Sequence, residues 1–210
     1  VAESHRGLRS LLSYTWIYEW SQRLLGADSF RQMVAERFVP RPTMPPQRPL
    51  KILDIGCGGA EILAHLGQVD YYGLDHNPNY IATAQTRYGS RGRFECRSFD
   101  ETTAVESGPF DCILALGVLH HLDDSACRHL FDLAKQALAP EGQLFTADPC
   151  YVPQQSALAR WIISKDRGQN VRSPEGYFAL TEERFRRSYC EVRYDLTRIP
   201  YTHVLFLLKP

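Results

Sequence analysis

The 210 residues set 24 Lys plus Arg against 24 Asp plus Glu, with 44% hydrophobic residues, which suffices for one compact unit and leaves no basic excess for a nucleic-acid surface. Arg184, Arg186 and Arg187 cluster, yet at that spacing they read as a solvated helix face, so nucleic acid is not an expected partner. Six scattered cysteines without a C-x-x-C pattern read as free thiols of a reducing compartment, and the apolar stretches Ile113 to Leu119 and Val204 to Leu208 are too short to span a bilayer. With no basic-then-apolar order at the N-terminus, the expectation is a cytoplasmic chain without a membrane anchor.

From Arg9 to about Leu25, residues Leu11, Leu12, Trp16, Ile17, Trp20 and Leu24 recur at near-helical spacing, and Asp28 is placed to cap a second helix through Phe30, Val34 and Phe38. Tyr14, Trp16, Tyr18 and Trp20 exceed what a short exposed extension needs. Residues 1–40 are therefore expected to form a helical lid over the cofactor crevice, with Tyr14 and Tyr18 facing a bound acceptor, ordinary core packing being the alternative, more so for Trp16 and Trp20. Pro40 to Pro49 carries five prolines in ten residues, so 41–49 reads as an extended linker.

Residues 50–210 alternate short apolar runs with helical ones. Strands are expected at Leu50 to Ile55, Asp70 to Leu74, around Phe94, at Phe110 to Leu116 and at Gln143 to Ala147. Helices are expected after the first strand to Leu66, at Pro78 to Arg87 and at Asp124 to Leu138. This is the pattern of a doubly wound, mainly parallel α/β sheet. Glu191 to Asp195 and Thr202 to Leu208, separated by Pro200, read as a closing pair of strands.

The segment Lys51-Ile-Leu-Asp-Ile-Gly-Cys-Gly-Gly-Ala60 is a buried strand breaking into a glycine turn, a place where backbone and ligand approach closely. It departs from the dinucleotide pattern G-x-G-x-x-G, because Glu61 stands at the last glycine and Asp54 precedes the first, where it would repel a pyrophosphate. A carboxylate there suits a ligand carrying an ammonium and a sulfonium. The segment resembles motif I of the class I S-adenosylmethionine-dependent methyltransferases, with Ala60 at the third glycine of D-x-G-x-G-x-G, a mild departure because alanine is small. Phe110-Asp-Cys-Ile followed by Leu119-His-His-Leu-Asp-Asp124 likewise resembles that family's motif IV, and the matches run in order from about 50 to 150.

The resemblance implies a seven-stranded, Rossmann-like methyltransferase fold with an antiparallel hairpin end, S-adenosylmethionine as cofactor, and methyl transfer by in-line displacement to a small-molecule acceptor at oxygen, nitrogen or carbon. Two rivals stay open: a non-catalytic cofactor-binding partner subunit, and a nicotinamide-dependent oxidoreductase. For the cofactor the resemblance implies Asp54, Gly56, Cys57 and Gly58, with Asp75 and His76 at the end of the second strand. There Asp75 accepts the ribose hydroxyls or, alternatively, caps the helix at Pro78. At the third strand the adenine contact divides among Ser98, Phe99 and Asp100, with a solvated loop acid as the alternative for Asp100, while backbone carbonyls near Ala115 and Leu116 face the cofactor's ammonium.

His120, just past the fourth strand, is the candidate base or orienter of the acceptor, against a plain helix-entry role. Asp148 and Tyr151 end the fifth strand at the same mouth, where Asp148 binds an acceptor group or caps the turn before Pro149. The polar stretch Lys165 to Arg172 has the composition of a substrate-facing loop, and Arg160, Arg167 and Arg172 with Tyr177 form a possible anion-recognising rim, ordinary surface arginines being the alternative. Tyr201 and His203 lie beside the closing strands, which makes Tyr201 a further acceptor contact. No metal site is expected, since adjacent histidines point apart and no cysteine or carboxylate stands at ligand spacing.

Overall fold

The computed structural model describes residues 27–40, 48–166, 168–185 and 187–210. The helix expected over Arg9 to Leu25, the acceptor-facing Tyr14 and Tyr18, the linker residues 41–47, Arg167 and Arg186 lie outside the described residues.

Seven strands form one sheet: β1 (Leu50–Ile55), β2 (Val69–Asp75), β3 (Gly92–Cys96), β4 (Phe110–Leu116), β5 (Leu138–Pro149), β6 (Arg187–Arg193) and β7 (His203–Lys209). Their order is β3-β2-β1-β4-β5-β7-β6. The first five run parallel, while β7 is antiparallel to both β5 and β6, which gives the expected hairpin end. Runs such as Ile113, Leu114 and Ala115, all fully buried, form strands because helices cover both faces and each side chain meets apolar neighbours.

Strand alternation sorts the core into two clusters. On one face Leu53, Ile55, Leu74 and Ile113 pack against α3 (Glu101–Ser107), α4 (Asp124–Ala137) and α6 (Pro174–Thr181). On the other, Ile52, Tyr71, Leu114 and Phe145 pack against α1 (Ala27–Arg37), the 3-10 turn Glu61–Ala64 and α2 (Pro78–Tyr88). The remaining helix, α5 (Ala157–Ser164), follows β5.

Several expectations need correcting. The glycine turn opens only the short 3-10 turn Glu61–Ala64, because Ala60 enters it in a left-handed conformation and β2 begins at Val69, too soon for a full helix. Asp28 lies inside the first turn of α1, not ahead of it, and its carboxylate meets His65 Nε2 at 2.9 Å. β5 is longer than expected and starts at Leu138, with a register irregularity against β4 between Phe110 and Cys112. The described part of the expected lid is core: Val34 and Phe38 are buried, and the Phe38 ring stacks on Phe145 with centroids 4.3 Å apart.

Candidate active site

β1 ends at Ile55, and the chain turns on Gly56 and Gly58, whose φ of 69° and 55° favour glycine. A Cβ on Gly56 would lie 2.8 Å from Val118 Cγ2. Ala60 shares this conformation, with φ 56°, so its departure from the family pattern is one of backbone and not of size: an L-residue there costs about 1–2 kcal/mol. Two hydrogen bonds lace the turn to β2, from Cys57 N to Leu74 O at 2.9 Å and from Gly58 N to Asp75 Oδ2 at 3.0 Å.

Asp75 also accepts from Asn77 N at 2.8 Å. The capping role belongs to Asn77, whose side chain accepts from Asn79 N at the start of α2, so Asp75 is free of that duty. Its two oxygens hold the turn in shape and keep lone pairs for a ligand's hydroxyls. Beside it opens a cleft of about 260 Å³ whose walls include Leu74, Phe99, Val118 and Leu122, with Asp75, His76 and Ser98 at its polar edge.

Ser98 and Phe99 thus reach the cleft, whereas Asp100 is turned away as the N-cap of α3. It accepts from Thr103 N at 2.9 Å and from Arg97 Nη2 at 2.5 Å, and these bonds, the Thr103 backbone first, hold its carboxyl down at about 2. Cys57 is buried in the cluster on the opposite face, and Leu116 is packed against that cluster.

Asp54 is also buried on that second face, where Tyr71 Oη donates to it at 2.5 Å. Burial lifts its carboxyl to about 7; the Tyr71 bond opposes the shift and the nearby Asp75 and Glu61 add to it. Asp75 and Glu61 make the surroundings of the glycine turn electronegative, an environment suited to a cationic ligand.

A polar cluster around His120 is built from β4, β5 and two later segments. β4 gives way to the 3-10 turn Leu119–His121, which buries His120. Asp148 Oδ1 accepts from both the backbone N of His120, at 3.1 Å, and its ring Nδ1, at 2.8 Å. Nε2 lies 3.4 Å from Asp166 Oδ1, and Tyr201 Oη donates to Asp166 Oδ2 at 2.5 Å.

Burial opposes charge on His120, but the hydrogen bond to Asp148 and the Asp166 carboxylate facing Nε2 outweigh it and raise the imidazole to about 9. The two carboxylates thus favour the charged ring, with Nδ1 donating to Asp148. In its charged form the ring orients a neighbouring group, and it can accept a proton only after Nε2 has given up its own. His121, half-buried beside it with ring centroids 4.1 Å apart, is lowered by burial and by the His120 charge.

Asp148 Oδ2, Thr146 Oγ1 and His203 Nδ1 are buried and have no hydrogen-bond partner among the described residues. Tyr151 lies under the Arg160 guanidinium, 5.0 Å from ring centroid to carbon. Arg172 is not an open rim: it donates to Leu119 O at 3.2 Å, Leu122 O at 2.8 Å and Asp124 Oδ1 at 2.9 Å, and so ties the later loop to motif IV. Asp166 is the site residue that the sequence did not single out. Only the polar composition of its loop was visible.

A family model described as a methyltransferase domain matches residues 27–182. The chain is 31% identical over 140 residues to a ubiquinone biosynthesis O-methyltransferase of Sinorhizobium medicae, covering 61% of this chain and 53% of that protein. It is 35% identical over 135 residues to the protein of the same name from Methylobacterium nodulans, with the same coverage of 61% and 53%. The chain thus spans about half the length of the curated relatives it matches. Among solved structures, phosphoethanolamine N-methyltransferase 2 of Haemonchus contortus, in complex with S-adenosyl-L-methionine, shares the fold with a TM-score of 0.70 at 16% identity, over 100% of this chain and 61% of that one. These matches set the nicotinamide-dependent alternative aside, and the chain belongs to the class I S-adenosylmethionine-dependent methyltransferase family.

Proposed function

We propose that this chain binds S-adenosylmethionine along the carboxyl edge of β1, β2 and β4 and methylates a hydroxyl oxygen of a small molecule. The observation that carries the reading is the cleft itself, where a glycine turn without side chains, an apolar slot and the Asp75 carboxylate stand together. Phe99, Val118 and Leu122 suit an adenine face, Ser98 its edge, and Asp75 the ribose hydroxyls. Gly56 and Gly58 let the backbone approach, and the buried Asp54 carboxyl beneath them is drawn toward its charged form by an arriving ammonium. The bound cofactor would supply an electrophilic methyl group, and the chain's share is to align the acceptor and exclude water.

An oxygen acceptor is favoured by the pairing of His120 with Asp148, an arrangement that fixes an imidazole for a hydroxyl, and by the O-methyltransferase names of the relatives. A small molecule is favoured over nucleic acid by the balanced charge. Among the described residues no helix is long and apolar enough to cross a membrane, and all six cysteines are free thiols, which supports a cytoplasmic setting.

Calorimetry with S-adenosylhomocysteine and NAD, followed by detection of S-adenosylhomocysteine produced with a panel of hydroxylated acceptors, tests the proposal. Micromolar binding of S-adenosylhomocysteine and far weaker NAD binding are expected. Tighter NAD binding would overturn the cofactor assignment, and cofactor binding without turnover on any acceptor would favour the partner-subunit alternative.

A further inference from the structure

The loop after α5 sits directly on His120. Asp166 Oδ1 faces Nε2 at 3.4 Å, and Asn170 N donates to His120 O at 2.9 Å. Gly168 lies so near the ring that a Cβ on it would come within 1.8 Å of Cδ2. Tyr201, from the segment leading into β7, holds Asp166 through its other oxygen.

The two ring nitrogens are not held alike. Nδ1 is committed to Asp148 at 2.8 Å, whereas the 3.4 Å separation at Nε2 exceeds the usual span of a nitrogen–oxygen hydrogen bond. A contact of that length is readily exchanged for a closer oxygen. We propose that Asp166 occupies the place of the acceptor oxygen at Nε2 of His120, so that the loop carboxylate and a hydroxyl-bearing acceptor compete for one imidazole nitrogen. This rests on reading the crevice as the methyl-acceptor end, and it makes Asp166 a positioning residue that acts through His120.

The groups facing the imidazole are Asp148 from β5, Asp166 from the loop, His121 on the same turn, and Tyr201 and His203 from the segment entering β7. With Asp166 seated, one imidazolium stands between two carboxylates, and the cluster is negative. When Asp166 withdraws, the remaining Asp148 and His120 pair is neutral, so an uncharged hydroxyl enters without leaving a charge unbalanced. Loss of one carboxylate also releases the Nε2 proton to water at lower pH. The lone pair so exposed can take the proton of the acceptor's O–H as that bond breaks, its electron pair staying on oxygen.

The test uses the cofactor-free full chain, phenol as the hydroxyl probe, and the NMR signal of His120 Cε1–H, assigned by its absence in His120→Gln. Phenol is expected to move that signal, to bind Asp166→Asn at least fivefold more tightly than wild type, and to bind Tyr201→Phe more tightly by a smaller factor. The His120 signal should also titrate at lower pH in Asp166→Asn. Equal phenol affinity in wild type and variants, a His120 signal unmoved by phenol in any of them, or an unchanged titration overturns the proposal. If Asp166→Asn fails to fold by circular dichroism, Tyr201→Phe, which keeps the ring, decides it with the same readouts. Calorimetry of the wild-type chain with S-adenosylhomocysteine tests the methyltransferase reading separately, so the two can fail independently.

Discussion

The hydroxyl of Tyr71 donates to the carboxyl group of Asp54 across 2.5 Å, beneath the turn that the cofactor must approach. Burial raises this carboxyl from 3.8 to about 7 despite that bond, so the folded chain keeps a proton that the unfolded chain loses. The contribution to stability is full below about pH 4 and is lost as the pH rises through 7, by on the order of 4 kcal/mol. Asp54→Asn should flatten the pH dependence of the thermal midpoint across that window. An unaltered slope would show that the carboxyl is already ionised.

His120 gives a second window with the same sign. Its folded value of about 9 lies above the unfolded 6.5, so its stabilisation is complete below pH 6.5 and disappears as the pH passes 9. His120→Gln should remove this loss, and it should lower turnover at saturating acceptor more than it weakens S-adenosylhomocysteine binding. Unchanged turnover would leave His120 a purely structural residue.

For the cofactor cleft, Asp75→Ala removes the acceptor of the Gly58 N–H and the proposed ribose contact. Calorimetry should show affinity for S-adenosylhomocysteine reduced by about 1.5–3 kcal/mol, roughly ten- to a hundredfold. Full affinity in the variant would refute the assignment.

Gly56→Ala should be more damaging than a methyl group suggests, because φ 69° disfavours any side chain and the new Cβ would meet Val118 Cγ2 at 2.8 Å. Cofactor binding is expected to fall below detection in a chain that still shows its helical and strand circular dichroism. Retained binding would mean that the turn relaxes freely.

Two truncations separate lid from core. Removing residues 1–40 takes away Val34 and Phe38 and uncovers Phe145, a loss on the order of 3–5 kcal/mol by analogy with deleting one large buried side chain. Removing only residues 1–26 spares Val34 and Phe38 and, if that segment serves as the lid, should cost acceptor turnover. The lid idea fails if the shorter truncation turns over acceptor at the wild-type rate.

The parallel strands were legible because burial on both faces demands unbroken apolar runs, as in Ile113 to Ala115. The short turn after Ala60 was not, since its left-handed backbone leaves no mark on residue type. Asp75 and Asn77 both carry capping chemistry two residues apart, and only the fold assigns the cap to Asn77. The His120 to Asp166 contact was hidden for a different reason: it joins two loops 46 residues apart, and neither holds a periodic pattern that would place it.

The family match ends at residue 182, whereas Tyr201 and His203 join the His120 cluster from beyond it, at the start of the last strand. The proposed cofactor contacts all lie between Asp54 and Leu122. The matched domain thus carries the proposed cofactor contacts together with His120, Asp148 and Asp166, and the returning hairpin adds Tyr201 and His203 to them. Tyr201 and His203 can accordingly be exchanged to retune the acceptor side while every proposed methyl-donor contact stays as a fixed chassis.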